Sequence, residues 1–186
     1  IGANIALSSN ALIYKSRTYN NFVYSLQNEV QTFSITDKSR GNILATITKD
    51  KTNYDLDIQL NKFVFNKQIL PQNMPLNISD TMVTGNIHLN TYGKIAHDIT
   101  DNLNGTFDLS FDGGKLYGFG FADFYASASN MTILNGEYAL YTALKNGITP
   151  IKNMHIKGIY KNGDIRTIQP LTLSMKHVDA TGILEI

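Results

Sequence analysis

Tyr54-Asp55-Leu56-Asp57-Ile58-Gln59-Leu60 alternates an apolar with a polar side chain at every step. Successive side chains of a strand point to opposite faces, so the stretch predicts a strand with one apolar and one wet face. Working outward, similar text occupies Ile43 to Thr48, Phe63 to Phe65, Thr84 to Thr91 with Ile87 and Leu89 inward, and Gly105 to Phe111 with Phe107, Leu109 and Phe111 on one side. Turn-forming clusters separate these runs: Thr36 to Asn42, Lys49 to Asn53, and Pro71-Gln72-Asn73-Met74-Pro75. Strands at that spacing, joined by such turns, predict an antiparallel sheet.

From Phe121 to Asn146 the alternation fails, and Ala, Leu, Met and Tyr replace the β-branched residues. Tyr138, Tyr141 and Ala143-Leu144 fall near helical spacing, and Asn146-Gly147 followed by Pro150 is a stop signal. One or two short helices are expected around residues 121–146. Strands return at Asn153 to Tyr160, Asp164 to Ile168, Leu171 to Met175 and Val178 to Ile186. Asn162-Gly163 carries the residue types of a type I′ hairpin turn, which needs positive φ at both central positions. Gly105 to Gly113 echoes His155 to Gly163, each ending a strand on Asp/Asn-Gly; two hairpins of like design are the simpler explanation, and a sheet built by repeating hairpins is the alternative.

The chain has 186 residues, enough for one domain with a sizeable core. Apolar residues make up 42% and charged residues 17%, which places it outside the disordered regime. The sixteen Lys and Arg are scattered singly and the net charge is +1, so a nucleic-acid footprint is not visible. With no cysteine, disulfides, thiolate metal sites and thiol nucleophiles are excluded. No apolar run approaches the length of a membrane span. The opening IGANIALSSN lacks the charged region of a signal peptide, and the chain begins on Ile and closes on Glu185-Ile186. A piece of a longer protein is expected, with any membrane anchor outside it.

Candidate chemistry has simpler structural explanations. Asp55 and Asp57 share a side of their strand, as catalytic carboxylates could, but that side should be the solvated one. His97-Asp98 with Asp101 lacks further ligands at metal spacing and reads as a surface loop. His88, His155 and His177 stand isolated in strand text. Gly113-Gly114-Lys115 misses the phosphate-loop pattern because strand-like Leu116 follows. Gly118-Phe119-Gly120-Phe121 reads as a strand end where another backbone passes close. The sequons at Asn77, Asn104 and Asn130 would matter only in a secreted eukaryotic protein. No catalytic residue, cofactor or metal site is expected.

Leu103-Asn104-Gly105-Thr106-Phe107-Asp108-Leu109-Ser110-Phe111-Asp112-Gly113-Gly114-Lys115-Leu116-Tyr117-Gly118 resembles the AsmA-like C-terminal region, whose strand has the form L-x-G-x-x-x-L-x-x-x-x-G-x-(I/L)-x-G. Thr149-Pro150 leading into Ile156 to Ile165 resembles that family's later segment. Leu171-Thr172-Leu173-Ser174 and Val178 to Ile186 resemble its closing strands. The resemblance covers residues 85–186; residues 1–84 share only richness in strands, and Phe121 to Asn135 departs from the pattern. It implies a mainly β fold, a large curved antiparallel sheet with an apolar inner face, in a single domain over residues 1–186. It also implies a non-enzymatic protein of the bacterial periplasm, tethered to the inner membrane in its full-length form. Its partners would be phospholipid or another envelope lipid and envelope proteins, in lipid transport between membranes or outer-membrane assembly. Leu56, Ile58, Phe107, Leu109, Leu171 and Met175 would line the lipid groove. Two other readings stand beside this one. The first is a structural or adhesive β-domain that binds protein or glycan through Asn- and Tyr-rich loops. The other is a β-rich hydrolase built on the aspartates and histidines.

Overall fold

A computed structural model describes residues 4–14, 17–65, 77–118, 120–128, 136, 138, 141, 143–144, 147–175 and 179–185. Five strands open the chain: β1 (Ile5–Tyr14), β2 (Arg17–Gln27), β3 (Val30–Thr36), β4 (Asn42–Asp50) and β5 (Asn53–Phe65). They are followed by β6 (Asn77–Ser79), β7 (Thr81–Tyr92), helix α1 (Ala96–Asp101), β8 (Asn104–Asp112), β9 (Lys115–Tyr117) and helix α2 (Phe121–Ala128). The chain closes with β10 (Ile148–Pro150), β11 (Asn153–Lys161), β12 (Asp164–Thr167), β13 (Leu171–Ser174) and β14 (Asp179–Gly182). Eleven strands form one antiparallel sheet in the order β1-β2-β3-β4-β5-β7-β8-β11-β13-β14, with β12 also pairing with β11. The sheet is open, not closed into a barrel. A smaller sheet has the order β10-β9-β6.

Two-residue hairpin loops with positive φ at both central residues set the register at two corners. Gln27 pairs with Val30 around Asn28 (φ 49°) and Glu29 (φ 68°), and Lys161 pairs with Asp164 around Asn162 (φ 53°) and Gly163 (φ 94°). Positive φ at both central residues matches the right-handed twist of the flanking strands, as expected for Asn162-Gly163. The β3–β4 corner is built differently. The buried carboxylate of Asp37 accepts from the backbone N–H groups of Ser39 (2.7 Å), Gly41 (2.9 Å) and Val64 (2.7 Å), tying the turn to the far end of β5. Gly41 is required there, since a Cβ would lie 2.1 Å from the carbonyl oxygen of Lys62.

The strands expected at Ile43 to Thr48, Thr84 to Thr91, Gly105 to Phe111 and Asn153 to Tyr160 lie inside β4, β7, β8 and β11. Phe63 to Phe65 is not a separate strand; it finishes β5 beyond a bulge. The closing strand is shorter than Val178 to Ile186, spanning Asp179–Gly182. The expected helical region contains α2, and Tyr138, Tyr141, Ala143 and Leu144 are helical as read; Pro71 to Pro75 lies outside the described residues. The expected loop at His97 to Asp101 is instead helix α1.

A line of ladder irregularities crosses one end of the sheet. Between Leu60 and Phe63, β5 slips by one residue against β7, with Lys62 at φ 49°. β2 slips against β3 between Asn20 and Val23, with Asn21 at φ 49°, and the Asn10/Asn21 pair drops out of the otherwise continuous β1–β2 ladder. A bulge adds a residue to one strand and bends it. Here it also returns the apolar residues beyond the irregularity to the face they would otherwise leave, so Tyr19 and Phe22, or Leu60 and Phe63, pack on the same side. Tyr19, Ile35, Leu60, Phe63 and Val83 form the buried core along that line, with the Tyr19 and Phe63 rings stacked 6.1 Å apart between centroids.

Candidate functional site

The register brings one row of apolar side chains from six strands onto a single face. Phe33 faces Ala45, Ala45 faces Ile58, Ile58 faces Ile87, Ile87 faces Phe107, and Phe107 faces Gly158. The next row runs Ile47, Leu56, Leu89 and Gly105 to Tyr160. Directly opposed residues of antiparallel strands share a face, so the alternation read in β5 propagates across the sheet. Gly158 makes room in this surface: a Cβ would lie 2.5 Å from the Phe107 ring, so the ring lies where any larger residue would stand. At the bulged end the face closes over the core, where Phe63 and Val83 are each 1% exposed. Ile58, Ile87 and Leu109 pack against that core and Leu56, Leu89 and Phe107 extend the face beyond it, all six only half-buried. Beside the core lies a pocket of ≈350 Å³ lined by Leu12, Tyr19, Phe33, Ile35, Ile43 and Phe63 among others. Helix α1 meets the face at the other end of β7, where the Thr91 hydroxyl donates to the Ile99 carbonyl at 2.6 Å.

Of the six expected groove residues, Leu56, Ile58 and Phe107 fall in these two rows, and Leu109 shares their face one row nearer the core, opposite Gly85 and Ile156. Leu171 is half-buried on β13, and Leu173 of that strand pairs with Met154, itself opposite Phe111, so Leu171 is on the same face but displaced from the four. Met175, just beyond β13, is 9% exposed and is packed rather than open. Ile87 and Leu89, read as inward from their alternating text, belong to the face equally, as does Ile47, which the same period-two text of β4 would have supplied.

The opposite face is polar and cross-linked between strands. Asp57 and the His88 ring sit 2.7 Å apart on β5 and β7. Asp108 on β8 meets both His155 (2.7 Å) and Lys157 (2.9 Å) of β11. Hydrogen bonds from His155 and then Lys157 hold the Asp108 carboxyl below the usual carboxylate value. His88 and His155 are therefore not isolated, as expected from sequence, but paired; His177 lies outside the described residues. Asp55 and Asp57 are exposed on this face, and His97 bonds Asp101 one turn along α1. A shallow hollow of ≈330 Å³ on the same side gathers the polar side chains of Asn42, Gln59, Asn61, Thr84 and Asn86. Gly113 and Gly114 form the β8–β9 turn, both with positive φ, and the close backbone approach expected near Gly118 and Gly120 is made by Gly147.

No family model, no curated protein and no solved structure matches the chain significantly. Function must therefore be argued from the two faces. The apolar face offers hydrocarbon-sized contact without a reactive group, while the polar face offers paired charges and amides in solvent.

Proposed function

We propose that the chain is a non-enzymatic lipid-handling domain of the bacterial envelope, of the AsmA-like kind, which holds the acyl portion of a phospholipid against its apolar face. The observation that carries this reading is a continuous apolar surface, Leu56, Ile58, Ile87, Leu89, Phe107 and Leu109, that is incompletely buried on an open sheet. Contiguous exposed apolar surface marks a binding site, and each methylene removed from water there contributes about 0.8 kcal/mol. The polar face keeps the loaded sheet wet on its other side. Transfer between membranes or outer-membrane assembly, in the periplasm, with the membrane anchor elsewhere in a longer protein, follows from the same reading. The test is native mass spectrometry of protein purified from a bacterial host, with photo-crosslinking side chains at Leu56 and Leu109. Retained phospholipid and crosslinks to it are expected; protein free of lipid, with no lipid captured at either position, would sink the proposal.

A second reading, a structural or adhesive domain that binds glycan, is favoured by the amide-lined hollow of Asn42, Gln59, Asn61 and Asn86. Amides hydrogen-bond sugar hydroxyls through both donor and acceptor. Glycan-array binding lost in Gln59→Ala, with lipid capture absent, would replace the first reading by this one.

A further inference from the structure

β1 ends the large sheet and pairs only with β2 among the described residues. Ile5-Ala6-Leu7-Ser8-Ser9-Asn10-Ala11-Leu12-Ile13-Tyr14 contains no charged residue and no proline. Edge strands are ordinarily protected by Lys, Pro, short length, an inward charge or a bulge, because a bare row of backbone N–H and C=O groups templates further pairing; here the one such device is the irregularity at Asn10. This strand has ten residues and none of the first two safeguards. Its side chains are also exposed: Leu7 is 56% and Ile13 74% exposed.

We infer that the free edge of β1 is an interface for a second copy of this chain, with the two β1 strands pairing antiparallel about a two-fold axis. The strand's text is the argument. With the axis between Ser9 and Asn10, Leu7 of each copy stands opposite Leu12 of the other, Ala6 opposite Ile13, Ser8 opposite Ala11, and Ser9 opposite Asn10. Apolar residues meet apolar ones at both ends, the small and polar ones meet in the middle, and no like charges are opposed.

The faces agree as well. Leu7 pairs with Tyr24, which faces Phe33, and Leu12 pairs with Tyr19 and packs on the core. Leu7 and Leu12 thus share the apolar face although five residues separate them, because the ladder breaks step at Asn10/Asn21, where the Ser9 hydroxyl instead bonds the backbone of Ala11. A register that places Leu7 against Leu12 keeps both copies' apolar faces on one side. The two sheets then continue as one. This inference is independent of the lipid reading.

The test is light scattering on the 186-residue chain over about a hundredfold range of concentration, since assembly follows mass action. Twice the chain mass is expected at the upper end, and Ser8→Lys, which opposes like charges near the axis, should return it to the single mass. The chain has no native cysteine, so introduced thiols report register directly. Ser8→Cys with Ala11→Cys should oxidise to a covalent dimer, whereas Ser8→Cys with Leu12→Cys, out of register and on opposite faces, should not. Single mass at every concentration would overturn the inference. So would a dimer indifferent to Ser8→Lys, equal crosslinking by both cysteine pairs, or an open ladder of larger species.

Discussion

Two carboxylates show how differently the same group acts in this fold. Asp37 is 1% exposed and takes three backbone N–H donors. Replacing it by Ala strands those donors, and Asp37→Ala should lower unfolding free energy in urea by about 3 kcal/mol, since each buried unsatisfied group costs about 1–3 kcal/mol. Asp108 is half-exposed between His155 and Lys157, so its effect shows in pH dependence. Its carboxyl is held below the ordinary value, so its contribution is present above the unfolded-state value and is lost as pH falls through the folded one. Thermal melts of the protein and Asp108→Asn should differ near neutrality, and the difference should vanish as acid protonates the native carboxylate. Neither role was legible beforehand. Asp37 lay within a recognised turn cluster, but its partner Val64 is 27 residues away. The histidine pairings depend on cross-strand register, which no local pattern records.

At the scale of elements, alternation carried most of the reading and failed where it had to. β4, β5, β7, β8 and β11 were legible because a solvated face and an apolar face leave a period of two. β1 and β2 were harder to single out because the Ser8-Ser9-Asn10 text and the break at Asn21 put Leu12 and Tyr19 out of phase with Leu7 and Phe22. α1 has six residues, too few to establish a helical period. Leu56, Ile58, Phe107 and Leu109 share one face, as their alternating text implies; Met175 follows a strand's end and is buried. Gly158→Val tests how the face is assembled. A side chain there would meet both the Phe107 ring and the Arg166 carbonyl at 2.5 Å, so β12 should loosen from β11. The expected cost is about 1–3 kcal/mol, the usual range for overpacking. Amide exchange in Asp164–Thr167 should rise before exchange in β4 or β5 does.

For the whole molecule, the accessible surface is 12506 Å², against about 8,900 Å² for a compact monomer of 20.7 kDa. An open sheet with an incompletely buried apolar face contributes to the excess. Unfolding therefore uncovers less new surface, and the urea m-value should be roughly a sixth below that of a compact chain of equal length. Equilibrium denaturation of the monomeric Ser8→Lys variant measures this without a contribution from assembly; a full-sized m-value would contradict the open architecture. The band of bulges has a further consequence for inheritance. Along β5 the apolar-face residues run 54, 56, 58 and 60, then resume at 63 and 65. A codon lost at 62 would leave that phase unbroken, whereas a codon lost at 57 would turn every residue downstream in the strand inside out. The irregular positions of this sheet are thus where its gene can change length without reversing which side faces water.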